Sequence, residues 1–262
     1  MTIDALPDVG AHPDRLVVLD AVHNFRDLGG YPTADGRVTR WRRLYRADGL
    51  QRLAGADLEV IRGRGLRTVV DLRRPEEIAE RGMFPVADHP VDLHNLSVLD
   101  VLWMDKERPE FDEDADFLHW AYLDMLATGG PTFAAAIEVL AAPGALPAVF
   151  HCAAGKDRTG LLAMLLLGAL GVDNDHITAD YALTADGMAR MFAWFEREQP
   201  DATALREDVP SAFLVALPAA MAQVTADLVA EHGSIRAYVL SLGVSAAALD
   251  RLESELLEEP AN

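Results

Sequence analysis

The 262-residue sequence predicts an α/β fold with a mainly parallel central sheet flanked by helices and a helical C-terminal part. Three observations carry that expectation. Short apolar runs of strand length alternate with helical stretches, the pattern of strands joined by helical crossovers. Everything after residue 175 carries helical character. Between them, residues 147–170 pass from a short apolar strand through a tight loop into a long apolar helix.

In chain order, residues 1–14 form a tail and 15–262 a single domain. Leu16, Val17, Val18 and Leu19 make a first strand. Residues 24–31 follow, with Gly29 and Gly30 marking a turn. Tyr45 and Arg46 end another short strand. Residues 53–62 have helical spacing, with Leu58 and Ile61 on one side. Residues 66–72 are a buried strand, and Pro75, Glu76 and Glu77 open a short helix whose acidic first turn suits the helix dipole. Residues 91–96 are a further strand. Helices are predicted over 117–127 and 132–141, separated at Gly129, Gly130 and Pro131, because proline removes a helical N–H and crowds the preceding turn. Further helices cover 159–170 and 175–183. In 184–217, Met188, Met191, Phe192 and Phe195 form a bulky stripe beside Trp194, and Pro200 and Pro210 break the segment. An ordinary core-facing helix and a helical lid are the two readings of that stretch.

Composition narrows the function classes. A chain of this length with 50% hydrophobic residues buries a sizeable core. The single cysteine excludes an internal disulfide and a Cys-x-x-Cys metal site, and the histidines lack ligand spacing, so no metal or cofactor is expected. Asp112, Asp114 and Asp116 alternate like a calcium loop, but Phe117 stands where the glycine is needed. The longest apolar run, 161–170, is too short to span a bilayer, and the N-terminus lacks the regions of a secretory signal. A soluble, cytoplasmic protein is expected, with export lacking a cleaved signal as the alternative. A net charge of −19 argues against a nucleic-acid partner. That charge is uneven: twelve arginines lie between Arg37 and Arg81, and the only lysines are Lys106 and Lys156. Most of these arginines read as solvated, and those near the end of the Asp71 strand as a basic rim.

The passage carrying chemistry is His151-Cys152-Ala153-Ala154-Gly155-Lys156-Asp157-Arg158-Thr159-Gly160. A loop entering a helix N-terminus aims unpaired backbone N–H groups at one spot and binds anions. A thiol held there, near cations, favours its thiolate form. Arg158, five residues after the cysteine, is able to hold two phosphate oxygens at once. The expectation is attack of Cys152 on phosphorus, a cysteinyl-phosphate intermediate, and release to water. Charge developing on the phosphoryl oxygens then rests on the amides of Ala153, Ala154, Gly155, Lys156 and Gly160 and on Arg158. Thr159 is a candidate donor to the sulfur, and His151 a group that orients Cys152 from within the loop. A structural, buried cysteine is the plain alternative.

This ten-residue loop resembles the signature of the cysteine-dependent protein tyrosine phosphatase superfamily. The Lys156-Asp157 pair resembles its bacterial tyrosine/phosphoinositide phosphatase family. Two further segments are similar to that family: Asn24-Phe25-Arg26-Asp27-Leu28-Gly29-Gly30-Tyr31, and Thr68-Val69-Val70-Asp71-Leu72-Arg73 followed by Pro75-Glu76-Glu77. The resemblance spans about residues 16–185. It implies a tyrosine-phosphatase-like fold, a helical lid insertion, and phosphorylated proteins or phosphoinositides as partners.

The proton donor has two candidates. Asp157 lies in the loop beside Arg158, and Asp71 ends a buried strand, a frequent place for a catalytic carboxylate in parallel sheets. Asp157 ranks first; a salt bridge to Arg73 or Arg158 is the structural reading of Asp71. Trp103-Met104-Asp105 resembles the acid loop of the familiar tyrosine phosphatases only by chance. The leading function is a protein tyrosine phosphatase, extending to phosphoserine and phosphothreonine. A phosphoinositide or inositol-phosphate phosphatase is the first alternative, and a non-catalytic phosphate-binding module the remote one.

Overall fold

The structure is a computed structural model and describes residues 6–98, 109–199 and 211–260. Its centre is a five-stranded sheet made of β1 (Arg26–Asp27), β3 (Leu44–Ala47), β6 (Ala148–His151), β4 (Thr68–Asp71) and β5 (Asp92–Asn95), in that order. The last four strands run parallel, and β1 alone pairs antiparallel, with β3. A separate antiparallel ribbon joins β2 (Val38–Thr39) to β7 (Leu257–Glu258), tying the end of the chain to its beginning.

The period-two alternation of the strands sorts the core onto two faces. Val149 and Val69 point to one side, into a cluster with Phe25, Tyr45, Leu58 and Ile61, the last two from α1 (Gly55–Arg62). Phe150 and Val70 point to the other, larger side. That side is covered by α3 (Asp114–Leu140), α4 (Asp157–Ala169), α8 (Pro218–His232), α9 (Ile235–Ser241) and α10 (Ala246–Leu256). Residues 161–167 of α4 are all buried, as expected of a helix that is apolar all round. The remaining α-helices among the described residues are α2 (Pro75–Arg81), α5 (Asn174–Ala182), α6 (Thr184–Glu198) and α7 (Ser211–Leu214), and one 3-10 turn covers Leu50–Arg52. Among the described residues no helix is long and apolar enough to cross a membrane.

Strands and helices near the site lie within a few residues of their expected places. Besides residues 257–258, which form β7 at the end of the expected helical stretch, three local expectations differ. Residues 16–19 keep the in-out alternation but form only one bridge, Leu16 to Arg26, because β1 offers just two residues to pair with. His12, in the expected tail, stacks on Trp41 at 4.1 Å. The third difference is α3, which runs unbroken through Gly129, Gly130 and Pro131. Pro131 and Ala127, whose carbonyl loses its donor, both lie on the exposed face where water replaces that bond. The two glycines face inward, and a Cβ on Gly129 would lie 2.8 Å from Val98 Cγ1. Trp103-Met104-Asp105 lies outside the described residues.

Candidate active site

β6 ends at His151, and α4 begins at Asp157, so residues 152–156 form the loop at the C-terminal edge of the parallel sheet. Such edges are where ligands bind in open α/β sheets. Cys152 is buried at the start of the loop. Gly155 has φ +67°, and a Cβ there would lie 2.6 Å from the Ala47 carbonyl oxygen. Backbone conformation and space therefore both demand glycine at that point.

The loop is braced from behind. Gly49 N donates to the Ala153 carbonyl at 3.0 Å. Asn24 Nδ2 donates to the carbonyls of Ala154 and Gly155 at 3.1 and 3.2 Å, and Arg46 Nη2 donates to that of Gly155 at 2.8 Å. His151 Nδ1 lies 3.2 Å from the Cys152 carbonyl oxygen; since a carbonyl only accepts, that nitrogen carries the proton. Burial pushes His151 below its ordinary range, against the pull of Asp71.

Arg158 is gripped by Glu77 of α2, Nη1 to Oε2 at 2.6 Å and Nη2 to Oε1 at 3.1 Å. Burial opposes the Arg158 charge, but Cys152 and Glu77 beside it hold the guanidinium protonated more firmly than usual. Glu77 also accepts from Arg74 N at 3.0 Å, capping its own helix. Burial raises the Glu77 carboxyl, and the Arg158 guanidinium outweighs that to bring it below its usual range.

The two candidate acids have different surroundings. Asp71 is buried, and Arg73 binds it through Nε to Oδ1 at 2.9 Å and Nη2 to Oδ2 at 2.6 Å. Although burial would raise this carboxyl, His151 and Arg73 hold it below its ordinary range. Asp157 lies partly exposed at the first position of α4. Tyr122 OH donates to Asp157 Oδ1 at 2.7 Å and lies 2.6 Å from Tyr181 OH. Burial and the neighbouring Asp157 push the Tyr122 hydroxyl well above its ordinary range, so it remains a donor. Asp157 Oδ2 has no hydrogen-bond partner among the described residues.

Two loop side chains are placed differently from the sequence expectation. The fully buried Lys156 ammonium donates to the carbonyls of Ala212 and Val215 at 2.7 and 2.8 Å and meets Asp157 Oδ1 at 3.3 Å. That ammonium is engaged by α7 and the residue after it, and so it is not displayed among the anion-binding groups. The Thr159 hydroxyl is buried without a hydrogen-bond partner among the described residues, the sulfur of Cys152 included.

The sequence does not reveal Glu77 as a partner of Arg158, Tyr122 as a partner of Asp157, or any part played at the loop by Arg46 and Asp180. Asp180 did carry a signal: it is charged, yet it adjoins Tyr181 and follows the buried Ile177 by three residues on one helix.

Residues 17–258 match the profile of the tyrosine phosphatase family. A Cupriavidus necator protein assigned as a tyrosine-protein phosphatase is 40% identical over 171 residues, covering 63% of this chain and 61% of that protein. The triple specificity protein phosphatase PtpB of Mycobacterium tuberculosis is 29% identical over 275 aligned positions, covering 91% of this chain and 98% of PtpB. A tyrosine-protein phosphatase of Nostoc commune is 33% identical over 136 residues, 52% of this chain and 46% of that one. With a ten-residue loop of this geometry and a family match over nearly its whole length, the chain belongs to the tyrosine phosphatase family, whose members are phosphoric monoester hydrolases.

Proposed function

We propose that this chain hydrolyses phosphotyrosine in proteins through a cysteinyl-phosphate on Cys152, with phosphoserine and phosphothreonine as further substrates. The observation that carries it is the pairing of Cys152 and Arg158 across one loop at a helix N-terminus, with Arg158 pre-set by Glu77. The Cys152 sulfur attacks phosphorus, the P–O ester bond breaks, and the leaving oxygen takes a proton from Asp157. Water then attacks phosphorus, the S–P bond breaks, Asp157 accepts the proton from water, and inorganic phosphate leaves. Loop amides of Ala153, Ala154, Gly155 and Lys156 carry the equatorial charge with Arg158, whereas the Gly160 amide, expected among them, donates to the Lys156 carbonyl at 2.7 Å inside α4.

Two observations favour Asp157 over Asp71 as the acid. Tyr122 fixes one Asp157 oxygen and leaves the other without a partner, while both Asp71 oxygens are occupied by Arg73. A carboxyl held below its ordinary range by a guanidinium is a poor proton donor at neutral pH. Of the expected lid 184–217, residues 200–210, with Pro200 and Pro210, lie outside the described residues; residues 211–215 act as a cover beside the site, supported by the bonds from Lys156 to Ala212 and Val215.

The test is turnover on a phosphotyrosine peptide, a phosphoserine peptide and a phosphoinositide, with Cys152→Ser as control. Phosphotyrosine should be the preferred substrate, and Cys152→Ser should release no phosphate; release by that variant rejects the mechanism, and preference for the lipid rejects the substrate class. Asp157→Asn should slow an alkyl-like leaving group by about 10²–10⁴-fold. An aryl phosphate with an acidic phenol should be nearly unaffected. A uniform loss across leaving groups excludes Asp157 as the acid.

A further inference from the structure

We infer that Asn24 and Arg46 are positioning residues that hold the catalytic loop in its anion-binding form, with Asp180 as the shared anchor that aims them. The inference rests on the phosphatase reading of Cys152 and extends it to residues that touch neither substrate nor sulfur.

A loop that turns its N–H groups toward one anion must turn its carbonyls away from it. Here those carbonyls point into protein, where an unpaired acceptor is costly. Three in a row, on Ala153, Ala154 and Gly155, meet donors from Gly49 N, Asn24 Nδ2 and Arg46 Nη2. The donors come from the segments around β1 and β3, over a hundred residues away in sequence for Asn24 and Arg46. Without them, nothing in the loop itself selects the amides-inward arrangement over one that turns a carbonyl toward the phosphate.

The orientation of each donor is itself fixed. Arg26 Nη1 donates to Asn24 Oδ1, so the Asn24 amide nitrogen must face the loop. Asn24 N in turn donates to Asp48 Oδ1 at 2.8 Å. Asp180 accepts from Arg26 Nε at 2.9 Å, from Tyr31 OH at 2.9 Å and from Arg46 Nη1 at 2.5 Å. Arg46 thus bridges two fixed points, the Asp180 carboxylate and the Gly155 carbonyl, which only a planar fork can do. Arg26, Arg46 and Asp180 are all about 1% exposed. Two buried guanidiniums against one carboxylate leave a positive charge behind the loop, and Arg46 applies it to the peptide joining Gly155 to Lys156. Even the neighbouring helix is fitted to this arrangement: a Cβ on Gly187 of α6 would lie 2.7 Å from Asn24 Oδ1.

The experiment measures orthovanadate inhibition and the rate of Cys152 alkylation by iodoacetamide at pH 6, for wild type, Asn24→Ser, Arg46→Lys and Arg46→Met. Only variants keeping the wild-type circular dichroism spectrum are compared, far below their melting temperatures. Asn24→Ser and Arg46→Met should weaken vanadate inhibition about tenfold or more, equivalent to about 1.4 kcal/mol. Both should also slow alkylation severalfold and lower kcat more than they raise KM. Arg46→Lys keeps the buried charge but not the fork, so its vanadate loss should approach that of Arg46→Met. Wild-type vanadate affinity and alkylation in the folded variants overturns the inference, as does full rescue by Arg46→Lys of the bridging role. If wild-type Cys152 is neither rapidly alkylated nor protected by vanadate, the phosphatase reading fails instead, so the two failures are distinguishable.

Discussion

Glu77 and Arg158 meet through two parallel hydrogen bonds, 2.6 and 3.1 Å, joining the first turn of α2 to the first turn of α4. The pair fixes the guanidinium plane before any phosphate arrives; with Nη1 also donating to the Leu72 carbonyl at 3.4 Å, the edge formed by Nε and Nη2 is left for a ligand. Glu77→Gln retains an oxygen for the Arg74 N–H but loses the ionic half of the pair. Charge-assisted bonds of this kind contribute about 1.5–3 kcal/mol, so kcat/KM on a phosphotyrosine peptide should fall roughly 10–100-fold. Steady-state kinetics checks it; an unchanged kcat/KM means that Arg158 is oriented by other groups.

That pair also shows where the sequence stops being informative. The loop from His151 to Gly160 is legible because all its groups are contiguous and a strand and a helix fix their geometry. Its braces are not contiguous. Asn24 reaches the loop across 130 residues, and Asp180 reaches Arg46 across 134. No local pattern encodes such a register. The four parallel strands β3, β4, β5 and β6 were readable from short runs of strand length, whereas the two-residue strands β1, β2 and β7 and the path of α3 were not. Its proline and glycines read as a break locally, and only packing against Val98 and the solvent exposure of Pro131 reveal why the helix continues.

Gly129 separates these two influences. Alanine in place of an interior helical glycine normally stabilises by about 1 kcal/mol. Here the added Cβ would lie 2.8 Å from Val98 Cγ1 and 2.9 Å from the Val98 carbonyl oxygen, so backbone must move. Overpacking of that sort costs about 1–3 kcal/mol. Gly129→Ala should therefore lower the melting temperature by a few degrees, and a raised melting temperature in calorimetry shows that Val98 yields freely.

Lys156 links the loop to α7 through two backbone carbonyls. Lys156→Met preserves much of the volume but removes both bonds and the contact with Asp157. Each lost bond from a charged donor is worth about 1.5–3 kcal/mol locally, enough to loosen a four-residue helix. Limited proteolysis should cut the variant near residues 211–217 at least tenfold faster than wild type, with global unfolding little changed. Equal cutting of both proteins would mean that Lys156 does not fasten this segment.

Asp48 gives the fold a pH dependence of unusual sign. Its carboxyl accepts from His23 N and Asn24 N at 2.9 and 2.8 Å and meets Arg52 at 3.2 Å. Burial outweighs Arg52 and those amides, pushing Asp48 up from 3.8 to about 6. A carboxyl raised in the folded state binds its proton more tightly there than in the unfolded chain. Its contribution is therefore fully present below about pH 4 and is lost as pH rises through 6. The difference amounts to about 3 kcal/mol. His23, which burial and Arg52 lower to about 4, acts in the opposite direction, but it remains in both proteins when Asp48 alone is changed. Asp48→Asn keeps an acceptor for the two backbone amides and removes the titration. Urea denaturation at pH 4.5 and 7.5 should show the variant gaining on wild type at the higher pH by about 2 kcal/mol. Parallel pH profiles for the two proteins would show that Asp48 stays ionised in the folded state throughout, with Arg52 and not burial setting its charge.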